Sequence, residues 1–269
     1  MTSPKQKALD KALLKGLKGK VLKTAETLIS DPEISIFQDY ANTVSITRLN
    51  FNDHGPVHMR QVAINAMKLM KIMKIMNESG IKFNLESEKI GTIEDSMIAV
   101  LIASFLHDIG MSIGRDGHER MTITVTTSII ERLLKDIYPK NLKKQLIMKS
   151  MIFEGIMGHM GTQKIHSLEA GIVLVADGCD MEKGRARIPL IMDTGSKIGD
   201  IHKYSSAAIK KVYIEKGKEN PVRIQVEMTE NAGFFQIEEV LMKKINMSPV
   251  KKYIELYAGV IGNELKRYL

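Results

Sequence analysis

Through roughly the first 180 residues, apolar side chains return every three or four positions, and that period calls for helices. Leu9, Leu13, Leu14, Leu17, Val21 and Leu22 form one stripe, and Val62, Ala66, Leu69, Met70, Ile72 and Met73 a second. Met97, Ile98, Leu101, Ile102, Phe105 and Leu106 make a third, with Gly110 just beyond its end as a stop signal. Ile129, Ile130, Leu133 and Leu134 belong to a further helix, and Leu146 to Ile156 suggests one more. The methionines in these stripes read as core filler. Past about residue 205 the period becomes two. Val222 to Met228 alternates apolar with polar as a half-buried strand does, and Lys211 to Ile214 looks like its partner across Gly217 and Pro221. A helix over Ile237 to Ile245 should follow, then a stretch from Tyr253 to Ile261 that could be helix or strand. The expected class is mostly α, a helical domain over residues 1–204 with a small α+β C-terminal domain over 205–269.

With 44% apolar residues the chain can bury a core that needs no disulfide. The single Cys179 excludes an intramolecular bridge and points to a reducing compartment, so the expected location is cytoplasmic. The best apolar run, Met97 to Leu106, is about half of what a bilayer demands, and the Lys-rich N-terminus lacks the apolar stretch of a signal peptide. No membrane partner is expected. Net charge is +8, which would attract phosphate-bearing ligands or nucleic acid. The basic residues are not interleaved with aromatics, so a solvated surface is the plainer reading.

Six of the seven histidines, His54, His58, His107, His118, His159 and His166, fall in one window that also holds Asp108 and Asp177; the seventh is His202. The strongest unit runs Ser104-Phe105-Leu106-His107-Asp108-Ile109-Gly110. It sets an ionisable pair at the end of an apolar helix, which is costly without a partner. A divalent metal is the natural one, since it takes a neutral imidazole and a carboxylate together. In Asp53-His54-Gly55-Pro56-Val57-His58, Pro56 suits a first helical position, so His58 lies in the opening turn. Asp177 ends the apolar run from Ile172, where periodicity cannot separate a buried strand from a helix.

In order, His58 … His107-Asp108 … Asp177 resembles the H…HD…D motif of the HD superfamily of metal-dependent phosphohydrolases. Phe105 to Gly110 is similar to the family's "LLHDIG" and Val175-Ala176-Asp177 to its "hAD", so the resemblance covers about residues 50 to 190. It implies an HD-type helical bundle whose metal ligands are His58, His107, Asp108 and Asp177. The family's dinuclear branch adds two histidines, for which this sequence offers His118 and His159, with Asp108 bridging the metals. In that register His166 is not a ligand. The implied cofactors are one or two divalent ions, with Mn, Fe, Co, Ni and Mg all admitted by an N/O ligand set. The catalytic residues would be Asp108 and His54. The latter stands four residues before a ligand, like the general acid of the superfamily's cyclic-nucleotide phosphodiesterases.

After Asp177, the residues Lys183, Arg185 and Arg187 could grip substrate phosphates, or simply form a solvated loop. The expected activity is hydrolysis of a phosphate ester or anhydride, with a small phosphorylated partner such as a nucleotide. Two alternatives remain open: an HD-type nuclease on RNA or DNA, and a nucleotide sensor without turnover. Whether the chain forms a homo-oligomer is also open.

Overall fold

The computed structural model describes residues 2–75, 80–182 and 201–269. It is mostly helical, with a small sheet near the C-terminus. Helix α1 spans Pro4–Leu14 and opens on a reciprocal cap between Ser3 and Gln6; α2 spans Gly19–Ser30. The sequence stripe from Leu9 to Leu22 is therefore two helices. The break falls where Gly16 and Gly19 take φ of +75° and +57°, a backbone only glycine adopts cheaply. Helix α3, Pro32–Thr43, starts at Asp31, whose carboxylate accepts from the backbone of Glu33 and Ile34. It runs on into a wider helical turn, Val44–Arg48.

Helix α4, Pro56–Ile75, and α6, Ile93–Leu106, form the centre, with the single turn α5, Asn84–Ser87, between them. α6 is apolar all round and buried from Asp95 to Leu106, as expected of a core helix. It packs against α2, α4, α8 (Leu142–Gly158) and α9 (Leu168–Gly178). With its extension, Ile93–Ser112 is long and apolar enough to cross a membrane by length and composition, longer than the run read from sequence, yet it lies wholly inside the fold. Helix α7, His118–Ile137, lies against α8. The ambiguous run before Asp177 is helix, α9, capped by Ser167, whose hydroxyl accepts from Ala170.

Beyond α9 come α10, Ile201–Ala208, and strands β1, Ile209–Lys216, and β2, Val222–Met228. Val222, Ile224, Val226 and Met228 are buried, as the alternation predicts. The stretch from Tyr253 resolves into β3, Ile254–Val260, which pairs parallel with β2 in the register Val222↔Ile254. Parallel neighbours need a crossover, and the helical segment 234–247, ending in α11, Met242–Met247, supplies it. A short β4, Lys266–Arg267, completes the order β1-β2-β3-β4. The sheet leans on α4, and one cluster of buried residues runs from Leu13 through α6 to Ala258.

Candidate metal centre

The chemistry gathers at helix ends. Pro56 opens α4, so His58 sits in its first turn; α6 stops at Leu106, leaving His107 and Asp108 just beyond it. His118 is the first residue of α7, His159 follows the last residue of α8, and Asp177 lies in the final turn of α9. Close approach between the turn Ile109–Ser112 and α7 depends on Gly110. A Cβ there would lie 2.0 Å from the His118 carbonyl oxygen and 2.5 Å from the Thr122 nitrogen. Thr122 secures the contact: its hydroxyl accepts from Gly110 N at 2.8 Å and donates to the His107 carbonyl at 2.8 Å.

Asp108 is the centre of the cluster. Its Oδ2 lies 3.1 Å from His58 Nε2 and 3.3 Å from His107 Nε2. Its Oδ1 lies 3.1 Å from His118 Nε2 and 3.2 Å from His159 Nε2. Asp177 joins the first group, with Oδ1 3.3 Å from His58 Nε2 and 3.8 Å from His107 Nε2. One carboxylate thus offers a separate oxygen to each of two imidazole pairs, and the four imidazoles and Asp177 are all buried.

The HD domain family model matches residues 57–182. The uncharacterized protein MJ1020 of Methanocaldococcus jannaschii is 37% identical over 235 residues, which is 87% of each chain. No solved structure matches the chain. The chain belongs to the HD superfamily of metal-dependent phosphohydrolases.

The family implies divalent metal at the HD centre, and the donors fit it. His107 Nδ1 donates to the Ser104 carbonyl at 2.9 Å, His118 Nδ1 to Arg115 at 2.9 Å, and His159 Nδ1 to Ile156 at 2.6 Å. His58 Nδ1 meets the Asp180 carboxylate at 2.6 Å. In the neutral tautomer each Nδ1 carries the proton, so each Nε2 presents a lone pair. Those lone pairs face one another, His58 against His107 at 3.1 Å and His118 against His159 at 3.0 Å, with carboxylate oxygens alongside. Lone pairs converge in this way around a cation. Ligands bound at about 2.1 Å in octahedral or tetrahedral geometry stand roughly 3.0–3.4 Å apart. Two donor groups meet the condition, His58 with His107 and Asp108, and Asp108 with His118 and His159.

Electrostatics hold Asp108, Asp177 and His159 in their ligating forms. Burial alone would raise the Asp108 carboxyl, but the imidazoles of His107, His118 and His159 around it hold it well below the usual carboxylate range. Burial likewise opposes ionisation of Asp177, and the Lys244 ammonium with His58 overcomes it. His159 is pushed down to about 4, chiefly by burial, and so stays neutral. Burial depresses His118 too, but its contact with Asp108 leaves it net raised. Cys179 is buried, and burial pushes its thiol far up, away from nucleophilic use.

Several residues around the HD centre carry no sequence signal. Asp180 orients His58; Arg60 and Gln38 brace α4 against α6, with Gln38 Nε2 donating to the Phe105 carbonyl at 2.7 Å and Arg60 donating to Gln38 at 2.9 Å. Lys244 reaches in from α11, pairs with Asp177 Oδ2 and donates to the His159 carbonyl at 2.9 Å. Gly178 lets its stem pass, since a Cβ would come within 3.1 Å of Lys244 Cδ. A cavity of about 620 Å³ opens over the centre, bounded by His54, Asp108 and Asp177 on one side and by α11 on the other. His54 lines it, with Nδ1 2.6 Å from the Asn52 carbonyl and 2.9 Å from the Ser45 hydroxyl. His166 stands outside the cluster, its backbone N–H given to Glu154. The expected phosphate grips Lys183, Arg185 and Arg187 lie outside the described residues.

Proposed function

We propose that this HD protein hydrolyses a phosphate ester or anhydride of a small nucleotide in the cytoplasm, using two divalent cations that share Asp108. The observation that carries this reading is the Asp108 carboxylate, whose two oxygens each face a histidine pair with lone pairs inward. His58, His107, Asp177 and one Asp108 oxygen would hold the first cation; His118, His159 and the other oxygen would hold the second. Bound there, the cations lower the pKa of water and neutralise phosphate charge. The absence of thiolate ligands admits Mn, Fe, Co, Ni or Mg.

The residues around this centre supply the rest. Asp108 fixes the spacing between the two sites. His54 has its Nδ1 engaged by the Asn52 carbonyl, so Nε2 is the atom at which it would pass a proton to the leaving oxygen. The cavity of about 620 Å³ has the size of a small-molecule site. Phe51, Met160 and Met247 give it an apolar wall against which a base can lie.

Elemental analysis of metal per chain, on wild type and on His118→Ala with His159→Ala, tests the reading. The expected result is about two ions falling to about one, with loss of metal-dependent phosphate release. One ion in both proteins would leave a mononuclear enzyme. No metal in either, after anaerobic purification and added Mn, would overturn the proposal. His54→Ala should keep its metal and lose about 10²–10⁴-fold in turnover; metal loss there would remove His54 from the role of acid.

A further inference from the structure

Lys244 and Arg115 line the cavity beside the metal donors, the first from a part of the chain far from the HD motif and the second from just after it. Lys244 comes from α11, and its side chain is 13% exposed. An ammonium has three N–H donors. Two are taken, by Asp177 Oδ2 and the His159 carbonyl, which fixes the nitrogen at the cavity wall. Asp177 meanwhile turns Oδ1 toward His58 and His107, so holding Asp177 and serving the cavity are compatible tasks for Lys244. The ammonium is largely desolvated, and beyond its pairing with Asp177 its remaining N–H would be satisfied by an anion seated in the cavity.

Arg115 makes the same point from another wall. It precedes α7, and its carbonyl already anchors His118. Its guanidinium finds no carboxylate among the described residues. Its contacts are the thioethers of Met111 and Met160, at 4.0 and 3.9 Å, and the Phe51 ring, 5.3 Å from its centre. Thioether sulfur is a weak acceptor, and a guanidinium fork matches phosphate oxygens well. Both cations line the one cavity that also contains His54, Asp108 and Asp177.

We propose that Lys244 and Arg115 form a clamp for the phosphates of a small organic polyphosphate, with Lys244 on the phosphate at the metal centre and Arg115 on its neighbour. The proposal rests on the phosphohydrolase reading above and narrows its substrate to a molecule seated whole inside the cavity. It gives the C-terminal segment a share in substrate binding.

Calorimetric titration of the Mn-loaded protein with inorganic phosphate and with pyrophosphate, alongside metal analysis, tests the clamp. Lys244→Gln should keep the wild-type metal content and weaken both ligands by about tenfold or more, with Lys244→Arg recovering most of the affinity. Arg115→Gln should weaken pyrophosphate about tenfold and leave phosphate nearly unchanged. Wild-type affinity for both ligands in both Gln variants would overturn the clamp and leave the hydrolase reading intact. Loss of metal from Lys244→Gln would also overturn it, by reducing Lys244 to an anchor of Asp177. A wild type that takes up no Mn would remove the hydrolase reading itself, and the clamp with it.

Discussion

Asp180 shows how much a single carboxylate can decide. At 2.6 Å from His58 Nδ1, it selects the tautomer that leaves Nε2 toward Asp108 and Asp177. Asp180→Asn should lower metal affinity by about 10–100-fold, read by chelator competition, with the helical circular dichroism unchanged. Gly110 is constrained by space. A methyl group there collides with the His118 carbonyl, so Gly110→Ala should destabilise by about 1–3 kcal/mol in a denaturant titration. The same variant should lose the cation at His118 and His159 first. At this scale His58, His107, Asp108 and Asp177 were legible because they stand in a fixed order within local motifs. Asp180, Lys244, Arg115 and Thr122 were not. Asp180 works on a residue 122 positions away and Lys244 on one 67 away, and no local pattern encodes such a contact.

Elements are readable where one period suffices. α7 and β2 follow directly from their apolar spacing. α9 does not, because a run buried on every side has no polar face to reveal its period. β3 was ambiguous for the same reason: its pattern has little alternation, and its parallel pairing with β2 is a tertiary fact. α6 also carries a pH dependence. Burial raises the Asp95 carboxyl, but hydrogen bonds from Lys144, Tyr138 and Thr92 win and leave it lowered from 3.8. A lowered folded pKa stabilises the fold above the unfolded value, and that share is lost as pH falls through the lower one. Asp95→Asn should therefore be less stable than wild type at neutral pH. The gap should close as both are acidified below about pH 4, measured by thermal melts across the range.

The whole molecule ties its metal centre to its fold, since the donors come from the ends of five helices and the core cluster is continuous from Leu13 to Ala258. Cation binding should accordingly stabilise the entire chain. At Mn concentrations about 100-fold above Kd the gain is about 2.7 kcal/mol per site, a rise in Tm of roughly 5–10 °C for a protein of this size. Excess chelator should reverse it; a Tm indifferent to Mn would disconnect the centre from the fold. The four imidazoles differ in what secures them. His107, His118 and His159 are each locked by the main-chain carbonyl three residues earlier, an atom every amino acid supplies. Random mutation at positions 104, 115 and 156 leaves that lock in place. His58 hangs instead on a side chain, so position 180 is where drift or laboratory evolution could retune the centre by one codon.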